Sequence, residues 1–165
     1  DVLNSLFEAA RWAPSCYNEQ PWIFVYSSNQ QEREELGKTL LPGNQTWNYN
    51  VPVLVYLLTR KKFSGNQKTT FHAMFDAGAA WMSLALQARK FGLYTHAMAG
   101  FNKKQVYQTL NLDEQEYEVM AAIAIGFRDR PDKLNDKLKQ IEYPNSRKPI
   151  EEFCFKVNQI KNREQ

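Results

Sequence analysis

The sequence has few of the residues that build metal centres or disulfide frameworks. Of its 165 residues, two are cysteine and two are histidine. Cys16 and Cys154 stand far apart, without a Cys-x-x-Cys spacing, so we interpret them as reduced thiols of a cytoplasmic protein. His72 and His96 leave too few ligands for a zinc site, and we expect no metal.

Strong charge, long apolar runs and the common nucleotide-binding fingerprints are also lacking. The net charge is +3 and the basic residues are scattered, which argues against a nucleic-acid surface. No apolar run reaches the length of a membrane span, and no signal-peptide pattern opens the chain. Neither G-x-G-x-x-G nor G-x-x-x-x-G-K-[ST] occurs. A nucleophile–base pair of Cys16 and His96 is a weaker alternative, because no nucleophile signature surrounds the cysteine.

The length fits a single domain of residues 1–165 with a sizeable core. Residues 140–165 are mostly polar and are interpreted as a C-terminal arm. The sequence begins at Asp1, without a methionine and inside a helical pattern, so we expect an N-terminal segment to be missing.

Apolar periodicity predicts helices and strands in alternation. Helices are predicted at 1–13, 29–41 and 71–90, and strands at 22–27, 51–59, 93–101 and 118–127. Asn102 is predicted to cap a further short helix, whereas residues 41–50, with their Pro-Gly pair, are predicted to be a loop. The 71–90 helix is apolar on most sides, which is typical of a buried helix or of one that covers a subunit partner. These elements favour an α+β fold with a central sheet and a long buried helix.

Four polar loops remain as candidates for a binding site: "PSCYNEQP", "PGNQ", "MAGF" and "NSRKP". None contains a strong acid–base pair, which suits a site whose chemistry belongs to a bound organic cofactor. In the first loop, Pro14 and Pro21 bracket a run rich in hydrogen-bonding groups. Ser15 and Asn18 of this run also favour helix stops and turns, so a purely structural turn is the alternative.

Several segments resemble the nitroreductase family of FMN enzymes. "AARWAPSCYNEQPWIFV" is similar to that family's AA-x-x-APS-x-x-N-x-QPW run, and "FDAGAAWMSLALQARKFGLYTHAMAGF" to its second block. "VPVL", "AIAIGFRDRP" and "SRKPIEEF" match further family segments, in the family's order. The resemblance implies a nitroreductase-like fold, with a mostly antiparallel central sheet flanked by helices and the long helix at the interface of a homodimer.

The resemblance also implies which residues contact FMN at that interface. It places the 14–18 segment against the flavin from one subunit, Asn44 at the flavin edge, and the Ala99 N–H toward flavin N5. Arg147, with Lys148 nearby, would hold the phosphate. The cofactor-binding residues predicted in this way are Pro14, Ser15, Cys16, Asn18, Asn44, Met98, Ala99, Gly100 and Arg147. Asp76 is expected to be structural, and no catalytic side chain is expected.

The function implied by the resemblance is an FMN-dependent NAD(P)H oxidoreductase. It would reduce nitroaromatic, quinone or similar planar small-molecule acceptors by ping-pong hydride transfer. One alternative is a flavin-binding protein with little turnover, acting as an FMN carrier or redox sensor. Others are a relative that fragments flavins or removes halogens, and a non-flavin interaction protein that uses the apolar helix as a dimer surface. No nucleic-acid or membrane partner is expected.

Overall fold

The computed structural model describes residues 2–161. By its internal contacts the chain divides into one unit that ends at Arg128 and a second that begins at Asp129. The prediction of one domain with an arm at 140–165 stays a prediction.

The first unit is built on a four-stranded sheet in the order β1-β2-β4-β3, and every pairing is antiparallel. Its strands are β1 (Trp22–Tyr26), β2 (Val53–Arg60), β3 (Tyr94–Met98) and β4 (Tyr117–Gly126). Its helices are α1 (Val2–Arg11), α2 (Gln30–Gly37), α3 (Pro42–Asn48), α4 (Ala73–Lys90) and α5 (Lys103–Thr109). The α+β class and the antiparallel central sheet are confirmed.

Both faces of the sheet are covered, which explains the nearly continuous apolar sequence of β2. On one face, Val55 and Leu57 pack in a core with α1 and α4. On the other, Leu54, Tyr56 and Leu58 pack in a second core with residues of α2 and α5. Alternate residues of one central strand therefore serve two cores.

The long helix α4 is buried along one face only. Small and apolar residues spaced three or four apart, such as Ala77, Ala80 and Leu84, lie in the core. The large apolar residues that made it look buried on most sides are exposed: Met74, Phe75, Met82 and Leu86. These residues form an exposed apolar face on α4, and the alternative that this helix covers a subunit partner stays a prediction.

The prediction of a loop at 41–50 is wrong, because Pro42–Asn48 form α3. Pro42 occupies the first turn, where proline is favoured because its fixed φ suits a helix and its missing N–H has no intrahelical acceptor. The Pro-Gly pair was interpreted as a turn, but here it opens a helix. The prediction that Asn102 caps a short helix is confirmed, because Asn102 accepts a hydrogen bond from the Gln105 N–H at the start of α5. Gly92 follows the end of α4 with a φ of 73°, a conformation that favours glycine.

The described part of the second unit, residues 129–161, contains two short helices, α6 (Asp136–Lys139) and α7 (Val157–Lys161). Single turns of 3-10 helix lie at Pro131–Lys133 and Ile150–Glu152. Asn135 caps α6 by accepting a hydrogen bond from the Leu138 N–H.

Candidate functional site

The loop between α1 and β1, residues 14–21, has an unusual backbone. Tyr17, Asn18 and Gln20 have φ values of 53°, 57° and 49°, in the left-handed region. This conformation costs roughly 1–2 kcal/mol for an ordinary L-residue, although asparagine adopts it more readily. Strained backbone persists only where its surroundings hold it, and such places concentrate at binding sites.

Hydrogen bonds within the 14–21 loop hold part of this conformation. The Ser15 hydroxyl accepts a hydrogen bond from the Gln20 N–H at 3.0 Å, and the Ser15 carbonyl accepts one from the Asn18 N–H at 3.1 Å. The Gln20 side-chain amide donates to the Asn18 carbonyl at 3.1 Å. Ser15 and Asn18 therefore do form a local turn, which is what their residue types favour.

Asp76 anchors this loop from α4. It lies in the first turn of the helix and is only 3% exposed, and its Oδ2 accepts a hydrogen bond from the Cys16 N–H at 3.0 Å. A charge-assisted bond in a buried setting is stronger than a neutral one, so this contact can hold the loop against its backbone strain.

A second support comes from the segment between β2 and α4. Residues 61–70 form a hairpin, with Lys62 and Thr69 as an antiparallel bridge. Glu19 of the 14–21 loop accepts a hydrogen bond from the Ser64 N–H at 2.6 Å. This backbone bond is the main reason that the pKa of Glu19 lies below its ordinary value.

Two predicted residues from distant positions, Asn44 and Gly100, are in contact. The Asn44 side-chain amide donates to the Gly100 carbonyl at 2.9 Å, and so does the Leu41 N–H, also at 2.9 Å. A Cβ on residue 100 would lie 2.5 Å from Asn44 Nδ2, so any other residue here would displace the Asn44 amide from this contact.

The neighbouring residues Met98 and Ala99 differ in exposure. The Met98 side chain is buried in the core beside Val106, whereas Ala99 is exposed just beyond the end of β3. Only the backbone of Met98 is therefore available to contact a ligand.

The pairing of the strands relates the 14–21 loop to the Asn44–Gly100 contact. Trp22, which opens β1, pairs with Thr59 of β2, and Thr59 pairs with Glu118 near the start of β4. Because β3 runs antiparallel to β4, its last residues also point toward the start of β4. The two groups thus lie at the same end of the sheet but at opposite edges, three strand spacings or roughly 14 Å apart.

Arg147 belongs to the second unit. It is exposed, and its guanidinium donates to the carbonyls of Asn145 and Ser146 at 3.3 and 3.1 Å. Lys148 is exposed as well. The phosphate-binding role of Arg147 stays a prediction.

No local sequence pattern indicates the supports of the 14–21 loop. Asp76 was expected to be structural, but its contact with Cys16 spans 60 positions and had no local signal. A lone carboxylate near the start of an otherwise apolar helix was the one available hint.

Within residues 2–161, no helix is both long and apolar enough to cross a membrane.

Comparison with known proteins defines the class to which this fold and these loops belong. The family model "Nitroreductase family" matches residues 1–46 and 38–127. The chain belongs to the nitroreductase family, and the resemblance noted in its motifs is confirmed.

Particular relatives agree with this assignment. A solved "oxidoreductase containing FMN" is 35% identical, with a TM-score of 0.88 over 94% of this chain and 80% of that chain. A "putative nitroreductase in complex with FMN" from Exiguobacterium sibiricum 255-15 is 20% identical, with a TM-score of 0.74 over 93% and 84% of the two chains. The "Putative NAD(P)H nitroreductase YdgI" of Bacillus subtilis (strain 168) is 23% identical over 76% of this chain and 77% of the relative.

Proposed function

We propose that this chain is an FMN-dependent NAD(P)H oxidoreductase that reduces planar acceptors such as nitroaromatics and quinones. The observation that carries the proposal is the 14–21 loop, whose left-handed backbone is held by Ser15, Asp76 and the 61–70 hairpin. A simple connector between α1 and β1 does not need three independent supports. The relative that contains FMN and is 35% identical supports the choice of cofactor.

The residues present fit an FMN. Pro14, Ser15, Cys16 and Asn18 supply a rigid, partly exposed polar backbone that can contact the ring. Ala99 is exposed beside the Asn44–Gly100 contact, so the backbone there is accessible to a flat ligand. The Ala99 N–H would donate to flavin N5, and Arg147 would hold the phosphate through its guanidinium fork.

The distance between the two groups supports a homodimer. The 14–21 loop and the Asn44–Gly100 contact lie at opposite edges of one sheet, so in a single chain they are separated by the width of that sheet. A second copy can bring the loop of one chain to the Asn44–Gly100 contact of the other. The exposed apolar face of α4, which includes Phe75 and Leu86, offers the surface that such a pairing would bury.

The protein's part in the reaction is positioning. When bound, FMN supplies a ring that accepts a hydride from NAD(P)H and delivers it to an acceptor. Hydride transfer needs the donor and then the acceptor held flat at near-attack distance, with no side-chain acid or base. The backbone of the 14–21 loop orients the ring, and a donor at N5 with a cation near the phosphate adjusts the local electrostatics.

Two measurements on the FMN-loaded protein test this function. Under anaerobic conditions, NADH or NADPH should bleach the flavin absorbance, and a nitroaromatic or menadione should restore it. Double-reciprocal plots of the initial rate, with the NAD(P)H and acceptor concentrations both varied, should give parallel lines, because donor and acceptor bind to the same site one after the other. A flavin that binds but is not reduced would instead identify a flavin-binding protein with little turnover. A chain that takes up no FMN would overturn the proposal.

A further inference from the structure

Tyr17 is a strained aromatic residue that nothing in its own unit buries. Its side chain is 91% exposed, and its φ of 53° is one that bulky residues rarely adopt. Glycine or asparagine would form this turn at lower cost. An exposed tyrosine in a strained conformation therefore calls for an explanation other than folding.

A second aromatic residue orients Tyr17. The Phe63 ring, in the 61–70 hairpin, meets the Tyr17 ring edge-on, with centroids 6.1 Å apart and planes at 76°. This geometry is a favourable one for an aromatic pair. The pair joins two segments that are distant in sequence.

The backbone on both sides of this pair is fixed. The Phe63 N–H donates to the Lys68 carbonyl at 2.9 Å, which closes the hairpin turn. The hairpin is tied to the 14–21 loop by the bond from the Ser64 N–H to Glu19. Since Cys16 is itself held by Asp76, the position of Tyr17 is set from both sides. Preorganised aromatic surface of this kind binds with little loss of conformational entropy.

We propose that Tyr17 and Phe63 form an aromatic wall that selects planar aromatic acceptors by ring contact. This inference rests on the proposed function, because Tyr17 stands between Cys16 and Asn18, two of the residues assigned to the flavin. An acceptor that lies flat on a flavin held by Cys16 and Asn18 would lie beside the exposed Tyr17 ring, whose phenol could stay in water while its face covers the ligand. Small non-aromatic acceptors have no ring to contact Tyr17 and Phe63, so the aromatic wall does not increase their affinity.

The test measures acceptor binding without turnover. The dissociation constant of 4-nitrobenzoate for the oxidised, FMN-loaded protein is read from the change in flavin absorbance, with no NAD(P)H present. Tyr17→Asn, which suits the left-handed backbone, and Phe63→Leu should each raise this constant about five- to tenfold, as expected for loss of an aromatic contact. Tyr17→Phe keeps the ring and should bind like the wild type. Phe127→Leu is the matched control, since Phe127 is an exposed aromatic residue just beyond the end of β4.

Turnover and size measurements complete the test. The KM for 4-nitrobenzoate should rise in Tyr17→Asn and Phe63→Leu, so that kcat/KM for 4-nitrobenzoate falls at least fivefold relative to kcat/KM for ferricyanide, which has no ring. Unchanged 4-nitrobenzoate binding in FMN-loaded variants would overturn the aromatic wall and leave the proposed function intact. A Tyr17→Asn variant that light scattering shows to be monomeric would also overturn the aromatic wall, because the Tyr17 ring would then be a contact of the dimer interface. A wild-type chain that takes up no FMN would overturn both proposals.

Discussion

Replacing Asp76 by alanine removes the anchor of the 14–21 loop and should weaken both folding and FMN binding. The carboxylate is 3% exposed and accepts the Cys16 N–H at 3.0 Å. A hydrogen bond to a charged group contributes about 1.5–3 kcal/mol, so we expect the free energy of unfolding to fall by about 2 kcal/mol in Asp76→Ala. For a chain of this length, such a loss lowers Tm by roughly 4–8 °C. The freed loop must be reordered when FMN binds, and each 1.4 kcal/mol needed for that raises the Kd about tenfold.

Two variants separate this anchor from general damage to α4. Asp76→Asn keeps an acceptor oxygen without the charge. Its free energy of unfolding should fall by about half as much as in Asp76→Ala, because charge-assisted hydrogen bonds are roughly twice as strong as neutral ones. Ser83→Ala removes a hydroxyl that donates within α4, to the Ala79 carbonyl at 3.0 Å, and should leave FMN affinity unchanged. Urea unfolding and fluorescence titration of FMN give the two quantities. A wild-type urea midpoint together with a wild-type Kd in Asp76→Ala would refute the anchoring role.

Three further predictions follow from the other contacts. Gly100→Ala places a Cβ 2.5 Å from the Asn44 amide nitrogen, which must move and lose its hydrogen bond to the residue 100 carbonyl, so urea unfolding should show a loss of about 0.5–1.5 kcal/mol; Gly43→Ala, whose Cβ meets nothing within 4 Å, should show none. Because the pKa of Glu19 is lowered in the folded chain, its bond to the hairpin is fully present above the ordinary glutamate pKa of about 4.3 and is lost as the pH falls through the lower, folded-state value. The protection factors of the hairpin amides, which correct for the intrinsic pH dependence of exchange, should therefore fall in acid, and Glu19→Gln should flatten that dependence; equal profiles of the two proteins would contradict the assignment. Arg147→Ala should raise the Kd of FMN at least tenfold in a fluorescence titration and leave the Kd of riboflavin, which lacks the phosphate, unchanged. An equal rise in both Kd values would contradict the phosphate-binding role of Arg147.

The elements that sequence reasoning predicted best are those with a strong local pattern. Short runs of apolar, aromatic and β-branched residues located all four strands of the sheet, and the prediction that Asn102 caps a helix is confirmed. The Pro-Gly pair at Pro42 was read as a turn although it opens α3, because the same residues favour both structures. Only the neighbouring elements decide between them.

The candidate site was predictable as a set of residue types but not as a geometry. The two prolines marked the 14–21 loop as rigid, yet nothing local indicated that Tyr17 adopts a left-handed conformation. The bonds from Cys16 to Asp76 and from Ser64 to Glu19 join residues 60 and 45 positions apart. Contacts at such separations depend on how the helices and strands pack, which the periodicity of one segment does not reveal.

The visible absorption spectrum of the purified chain, taken before and after denaturation, tests the central claim most directly. The account predicts a flavin spectrum that shifts to that of free FMN on unfolding, with about one FMN per chain because each copy supplies one 14–21 loop and one Asn44–Gly100 contact. A colourless protein that stays colourless after incubation with FMN and gel filtration would contradict it.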